Sequence, residues 1–389
     1  MEDMMKDVYE ITKELIRIDS TNPGTGECGV AAYIRNFFSD TGAVIVEDLV
    51  VDDRCNVIVS LEAESQEPAL VLICHMDTVV TGKDWTRDPF GAKVEGSRIY
   101  GRGACDMKSG LACALAVFHK AAEQVQQGNM SLRRSLRLIC TVDEEGDMRG
   151  VEVAIRNKRV TAKDWVMDLE PTDGQIQMAH KGRFWLEVDV HGVTAHASRP
   201  EQGADAIAAM AELICEMKRA FEQFPVHEEL GKTTITFGQI QGGYQPYVVP
   251  DECRLWIDCR LAPPVKDTMV LEIMEQAKKK AERLVPGVQV EYKVTGNRPF
   301  IEKNEQSGLL ASLKNAVCEA TGEKPQVGPF PGYTDTAVIA GMTGNQNCLS
   351  YGPGNLKYAH KPDEFVEMTD IERCEKVLWQ LMEQIEKET

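Results

Sequence analysis

An α/β fold with a mostly parallel sheet, interrupted by a smaller inserted α+β domain, is predicted by three features of this 389-residue chain. Short continuous apolar runs alternate with helical patterns as far as Met167, the arrangement of a sheet with helices on both faces. From Arg183 the strands instead alternate apolar and acidic residues, which marks antiparallel strands with one wet face. After Asn297-Arg-Pro-Phe the buried pattern returns. Three segments follow: 1–182, the first part of the main domain; 183–296, the insertion; and 297–389, the remainder of the main domain.

Each element has its own warrant. Asp7–Arg17 places Val8, Ile11, Leu15 and Ile16 at helical spacing, and Asp19-Ser-Thr-Asn-Pro-Gly-Thr-Gly ends that helix in a turn. The apolar runs Asn56–Leu61, Ala69–Cys74, Leu136–Val142 and Asp164–Met167 read as strands, with helices at about Gly110–Gln127 and Gly150–Lys158 between them. In the insertion, Phe184-Trp-Leu-Glu-Val-Asp-Val, Cys253–Leu261 and Val288–Val294 read as strands, and Ala204–Gln223 and Thr268–Leu284 as helices. A helix at Ser307–Ala320, a strand at Asn347–Tyr351 and a closing helix from about Asp370 complete the chain. There is neither an internal repeat nor a low-complexity segment.

Composition removes several classes of function. Lys and Arg number 43 against 61 Asp and Glu, a formal charge of −18, and no basic cluster offsets it, so nucleic acid is not an expected partner. No stretch approaches the roughly 20 apolar residues of a membrane span. The opening Met1-Glu2-Asp3-Met4-Met5-Lys6-Asp7 carries acids where a secretory signal would carry a basic region, so a cytoplasmic location is expected. The twelve cysteines are scattered without a C-x-x-C pair, several of them in apolar runs (Cys74, Cys140, Cys215), and are expected to be reduced and mostly buried.

Ligands of open α/β sheets bind beyond the carboxyl ends of the strands. Four of the runs end there in metal-ligating residue types. Ala69–Cys74 leads to His75-Met-Asp77, Leu136–Val142 to Asp143-Glu144-Glu145-Gly-Asp147, Asp164–Leu169 to Glu170-Pro, and Asn347–Tyr351 to a glycine-rich loop reaching His360. Asp106 sits in the turn Gly101-Arg-Gly-Ala-Cys-Asp106-Met-Lys, just before a helix. Taken one at a time, each is an ordinary surface or loop residue. Together they put several carboxylates at one end of one sheet, where they would repel unless a bound dication relieved them. Imidazole and carboxylate without thiolate suit zinc, cobalt or manganese at a hydrolytic site. In extended chain, residues two apart point the same way, so Asp77 can orient His75. Of the adjacent Glu144 and Glu145, one can ligate metal while its neighbour faces the attacking water as general base.

The motifs His75-Met-Asp77-Thr-Val, Gly101-Arg-Gly-Ala-Cys-Asp106-Met-Lys, Asp143-Glu144-Glu145-Gly, Glu170-Pro-Thr and His191-Gly-Val-Thr-Ala-His196-Ala-Ser-Arg-Pro occur in this order. They resemble the acetylornithine deacetylase/succinyl-diaminopimelate desuccinylase family of dinuclear metal amidohydrolases, which also holds aminoacylases, carboxypeptidase G and several dipeptidases. The resemblance runs from the first helix to His360. It implies two divalent metal ions per chain, zinc first, with cobalt or manganese as alternatives. Asp106 would bridge them, His75 and Glu170 would complete one site, and Glu145 and His360 the other. Glu144 becomes the general base and Asp77 the partner of His75. It also implies a zinc-hydrolase catalytic domain interrupted by a lid and dimerisation domain, hence a homodimer, with His196 reaching the partner subunit's site to stabilise the oxyanion. Arg260 resembles the family's arginine for the substrate carboxylate, and Gly332-Tyr-Thr334-Asp335 the loop beside it. Two departures stand out: Tyr247 replaces an asparagine that touches substrate in many relatives, and Ser109 replaces a glycine.

The activity so implied is hydrolysis of the amide of N-acyl amino acids, by a water activated between metal ions. A dipeptidase or carboxypeptidase acting on short peptides, and a non-catalytic metal-binding relative, are the alternatives. Other chemistries fit poorly. Asp106 falls where a dinucleotide fingerprint needs its third glycine, Val226 where a P-loop ending in Gly231-Lys232-Thr233 needs its first, and Cys348-Leu-Ser350-Tyr-Gly352 lacks the first glycine of a nucleophile elbow.

Overall fold

The structure, a computed structural model, describes residues 7–387. The acidic segment Met1–Lys6 lies outside the described residues. The chain forms two compact units. One contains residues up to Met178, Lys303–Phe330 and the chain from Thr334 onward; the other contains Ala179–Glu302 and Pro331–Tyr333.

The first unit is built on an eight-stranded sheet. Its strands lie in the order Val44–Val51, Arg54–Leu61, Leu136–Thr141, Leu70–His75, Trp165–Pro171, Cys348–Gly352, Ile176–His180 and Val327–Phe330. The four strands in the middle are parallel: Leu70 lies opposite both Leu136 and Trp165, and Cys348 opposite Val166. Antiparallel pairs flank them, Val44 against Ser60 on one side and Ser350 against Gln177 on the other.

The continuous apolar runs are explained by burial on both faces. Leu70, Leu72, Cys74, Leu136, Leu138 and Cys140 join one large core with the helices Val8–Arg17, Ser109–Gln126, Gly308–Thr321 and Met368–Lys387. The intervening Val71, Ile73 and Ile139 are equally buried on the opposite face, where helices Arg149–Arg156 and Asp335–Thr343 pack. Gly110 sets how closely a helix approaches the sheet: a Cβ there would lie 2.2 Å from the Leu169 carbonyl oxygen. Several elements carry no expectation from the pattern, among them the helices Glu27–Phe37 and Asp335–Thr343 and the strands Val44–Val51, Ile176–His180 and Val327–Phe330.

The second unit is a four-stranded antiparallel sheet in the order Thr234–Gly242, Glu252–Leu261, Gly182–His191, Gln289–Arg298. Period-two alternation sends Phe184, Leu186, Val188, Leu255, Ile257 and Cys259 into a core beneath helices Ala206–Phe221 and Asp267–Leu284. The first of these helices is capped by Asp205, whose carboxylate accepts the Ala208 N–H at 2.9 Å. Strand Thr234–Gly242 is the one strand of this sheet absent from the sequence expectation; it lies at the edge with most of its residues exposed, and only Ile235 and Phe237 pack against the core.

All twelve cysteines are free thiols, and eight are buried. Cys215 is a correction. It is exposed on its helix, because Leu213 and Met217 on either side of it take the inward positions.

Candidate active site

Parallel register brings the ligand-type residues together. His75 lies opposite Thr141, and Ile73 opposite Asp168, so the strands bearing His75 and Glu170 and the loop after Thr141 all finish at one end of the sheet. The turn Ala104–Lys108 adds Asp106, and its tight entry requires Gly103: φ there is +81°, and a Cβ would meet the Thr78 methyl at 2.7 Å. The chain after strand Cys348–Gly352 returns with His360.

Asp106 stands between two imidazoles. Its Oδ1 is 3.1 Å from His75 Nε2, and its Oδ2 is 3.3 Å from His360 Nε2. Glu170 Oε1 lies 3.5 Å from His75 Nε2, and Glu145 Oε1 lies 3.0 Å from His360 Nε2. Donor atoms of His75, Asp106 and Glu145 fall within 4.8 Å of one another, as do those of His75, Glu144 and Glu170. Such spacings suit a shared cation better than isolated pairs, since four carboxylates face two imidazoles.

Electrostatics point the same way. Burial pushes Glu144 well above the usual carboxylate range; His75 opposes the shift, while Asp335, Glu145 and Asp77 add to it. Glu170 is raised well above that range by burial and by Asp106. Burial disfavours the charged imidazole of His75, yet hydrogen bonds to Asp106 and Asp77 raise its pKa well above the ordinary value. His360 rises to about 10 through its hydrogen bonds to Asp106 and Glu145. Protons are thus held where negative potential collects, and a dication would take their place. The donor set, imidazoles and carboxylates with Asp106 between His75 and Glu170 on one side and Glu145 and His360 on the other, is of a kind that could hold divalent cations.

Asp77 supports this cluster from below. Its main-chain oxygen lies 2.9 Å from His75 Nδ1 and its carboxylate 3.6 Å from the same atom, so the carbonyl is the nearer partner. The carboxylate instead accepts the N–H groups of Glu144 and Glu145, both at 3.1 Å. Asp77 thereby sets the positions of both glutamates as well as the histidine ring.

The remaining candidates have their own local surroundings. His196, in the second unit, is exposed, and its Nδ1 is 2.8 Å from Ser198 Oγ. Arg260 makes a bidentate pair with Asp258 on its own strand, at 2.8 and 3.0 Å. Tyr247 is 57% exposed. Gly332 belongs to the second unit and Thr334 to the first, where the Thr334 hydroxyl is buried against Thr336, which in turn donates to Asp168 at 2.7 Å.

Several supporting residues carry no expectation from the motifs. Glu364 accepts the N–H groups of Cys105 at 2.9 Å and Asp106 at 3.1 Å and is ion-paired with buried Arg102, so it fixes the Asp106 turn. Its position four residues after His360, and that of Arg102 inside Gly101-Arg-Gly, are the signals that could have marked them. Behind the Asp143 loop, Arg54 joins Glu27 at 3.1 Å to Asp143 at 3.2 Å, all three buried. Asp335, which the resemblance already marks in the Gly332-Tyr-Thr334-Asp335 loop, accepts from Thr141 at 2.7 Å, and burial raises its pKa to about 7.

Known proteins resemble this chain in sequence and in fold. An acetylornithine deacetylase from Myxococcus xanthus is 27% identical over 372 residues, covering 93% of this chain and 90% of the relative. A probable succinyl-diaminopimelate desuccinylase from Staphylococcus aureus is 25% identical over 393 residues, covering 93% of each. Among solved structures, a tripeptidase from Staphylococcus aureus superposes with a TM-score of 0.81 at 20% identity over 99% of both chains. An M20 family metallo-carboxypeptidase from Sulfolobus solfataricus gives 0.80 at 18% identity, over 97% of this chain and 99% of the other. A dinuclear metal binding peptidase of the M20 family from Bacillus subtilis gives 0.68 at 16%, over 98% of each. These superpositions bear on the fold, the mixed α/β architecture with a parallel centre. Residues 71–384 match the sequence profile of peptidase family M20/M25/M40, and the chain belongs to that family of amide-bond hydrolases.

Proposed function

We propose that the protein is a dinuclear metal-dependent amidohydrolase that releases the acyl group from N-acyl amino acids, in the manner of a deacetylase or desuccinylase. The observation that carries this reading is the cluster of His75, Asp106, Glu144, Glu145 and Glu170 at one end of the sheet, joined by His360 beside Glu145 and Asp106. The deacetylase and desuccinylase names of the relatives, at 27% and 25% identity over 93% of the chain, favour an N-acyl amino acid over a peptide.

Asp106 is assigned to bridge the two ions, His75 and Glu170 to hold one, and Glu145 and His360 the other. When bound, the ions supply Lewis-acid polarisation of the amide carbonyl and acidify the attacking water. Glu144, whose proton affinity burial already raises, takes the water's proton and returns it to the leaving amine. Water is consumed and a carboxylate and an amine are released, with no bond formed between enzyme and acyl group. His196 is assigned to the oxyanion. Arg260 is assigned to the substrate carboxylate, with Gly332 and Thr334 nearby, and Tyr247 to the size and polarity of the pocket. The second unit is assigned the lid and dimerisation role, in a cytoplasmic homodimer.

A panel of N-acetyl and N-succinyl amino acids set beside dipeptides with free amino termini tests this reading. Turnover of an N-acyl amino acid supports it. Cleavage of the dipeptides alone would replace it with a dipeptidase or carboxypeptidase, and metal binding without any turnover would leave a non-catalytic relative.

A further inference from the structure

The turn after the first helix reaches into the site from outside every motif considered above. Its backbone is tied to the His75–Asp77 segment: the Asn22 N–H donates to the Thr78 carbonyl at 2.8 Å, and the Thr78 N–H donates to Ser20 at 3.0 Å. The Asn22 side-chain amide then donates to two acids at once, Asp77 Oδ2 at 2.8 Å and Asp143 Oδ1 at 3.1 Å. Both acids are buried. They belong to the two loops that bear His75 and Glu144–Glu145, and like charges this close would otherwise push those loops apart. Asp143 is held in the left-handed region, at φ +66°, immediately before Glu144.

We propose that Asn22 is a positioning residue that locks the two ligand-bearing loops together, one amide hydrogen to each, and so fixes the distance from His75 to Glu144 and Glu145. The inference rests on the dinuclear reading above and adds to it a residue outside the ligand set. Its physical basis is that Asp77 carries the main chain of both glutamates and the ring of His75. A rotation of its carboxylate would therefore move all three together. The fold itself does not hang on Asn22, because Asp143 keeps Arg149 at 2.6 Å and Arg54 at 3.2 Å.

The test is cobalt binding to metal-stripped full-length protein, for wild type, Asn22→Ala and Asn22→Asp, followed by calorimetry and by the visible d–d absorption of Co²⁺. Melting temperatures of the metal-free proteins are recorded alongside. Asn22→Asp keeps the shape of the side chain and adds negative charge, which by Coulomb attraction alone would tighten a cation. The expected result is that both variants remain folded with a single cooperative melting transition, Asn22→Ala near the wild-type melting temperature, and that both bind Co²⁺ about 10–100-fold more weakly and show a changed d–d spectrum. Wild-type affinity and spectrum in both variants would overturn the inference, as would tighter binding by Asn22→Asp or a loss that follows melting temperature alone. Wild-type protein that takes up no Co²⁺ would overturn the dinuclear reading and this inference together. Two ions bound by wild type and equally well by both variants would overturn the role of Asn22 alone.

Discussion

Replacing Arg54 by Met removes a cation from a buried ionic group and leaves its carboxylates behind. Arg54 Nη1 lies 3.1 Å from both oxygens of Glu27, and Nη2 lies 3.2 Å from Asp143, with 5% or less of each side chain exposed. Asp143 keeps its bidentate contact with Arg149, at 2.6 and 3.0 Å, so the uncompensated charge falls on Glu27. Breaking a buried pair by removing one partner costs about 3–5 kcal/mol, and Met retains most of the stem's packing, so Arg54→Met should lose that amount at neutral pH. The Glu27 pKa is already raised by burial and by Asp77, with Arg54 among the groups holding it down. Without Arg54 it rises further. A raised carboxylate contributes stability that is lost as pH rises through its folded value, so the penalty should shrink as pH falls towards the ordinary range of glutamate. The assay is urea unfolding of the first unit at several pH values, with Glu27→Met alone and the double variant completing a cycle. The double variant should recover at least about 2 kcal/mol relative to Arg54→Met. A loss below about 1 kcal/mol, one independent of pH, or a double variant no better than Arg54→Met would refute the reasoning.

Three further outcomes are expected. Metal-free protein should melt at lower temperature as pH rises from about 5.5 to 8, because Glu144 and Glu170 carry raised values and His75 and His360 are also raised, so all four contributions fade in that direction; saturating zinc should reverse the slope, and parallel slopes in scanning calorimetry would contradict the site. Gly110→Ala should cost about 1–3 kcal/mol in urea unfolding and weaken metal binding, since the added Cβ would lie 2.2 Å from the Leu169 carbonyl oxygen, one residue before Glu170; an unchanged midpoint would show that the helix yields. Tyr247→Asn should alter KM among N-acyl amino acids while metal content stays fixed, and an unchanged substrate ranking would remove Tyr247 from the pocket.

The legible parts of this chain are those where one physical rule dominates. Strands Leu70–His75 and Leu136–Thr141 are readable because burial on both faces demands an unbroken apolar run, and Glu252–Leu261 because one wet face demands alternation. Helix Glu27–Phe37 escapes because it carries Gly29 and begins with a buried glutamate whose partner, Arg54, is remote in sequence. Strand Val44–Val51 escapes because it lies at the sheet edge and turns Asp48 inward to Arg159. The candidates His75, Glu144, Glu145 and Glu170 are legible because each lies at or just beyond the end of a strand of the central sheet, whose parallel register carries strand ends to one place. What supports them is not. Asn22, Arg102 and Glu364 act through hydrogen bonds to segments 55, 262 and 121 residues away, for Asn22 to Asp77, Arg102 to Glu364 and Asn22 to Asp143 respectively. No local pattern records such pairings.

The measurement closest to the central claim pairs the metal content of wild-type protein and Glu144→Gln with their hydrolysis of the N-acyl amino acid panel. About two divalent ions per chain in both proteins are expected, with turnover in wild type and a fall of at least about 10³-fold in the variant, in the range for loss of a general base. Protein that binds no divalent ion even when zinc is supplied, or a Glu144→Gln variant that turns over at the wild-type rate, would contradict the account.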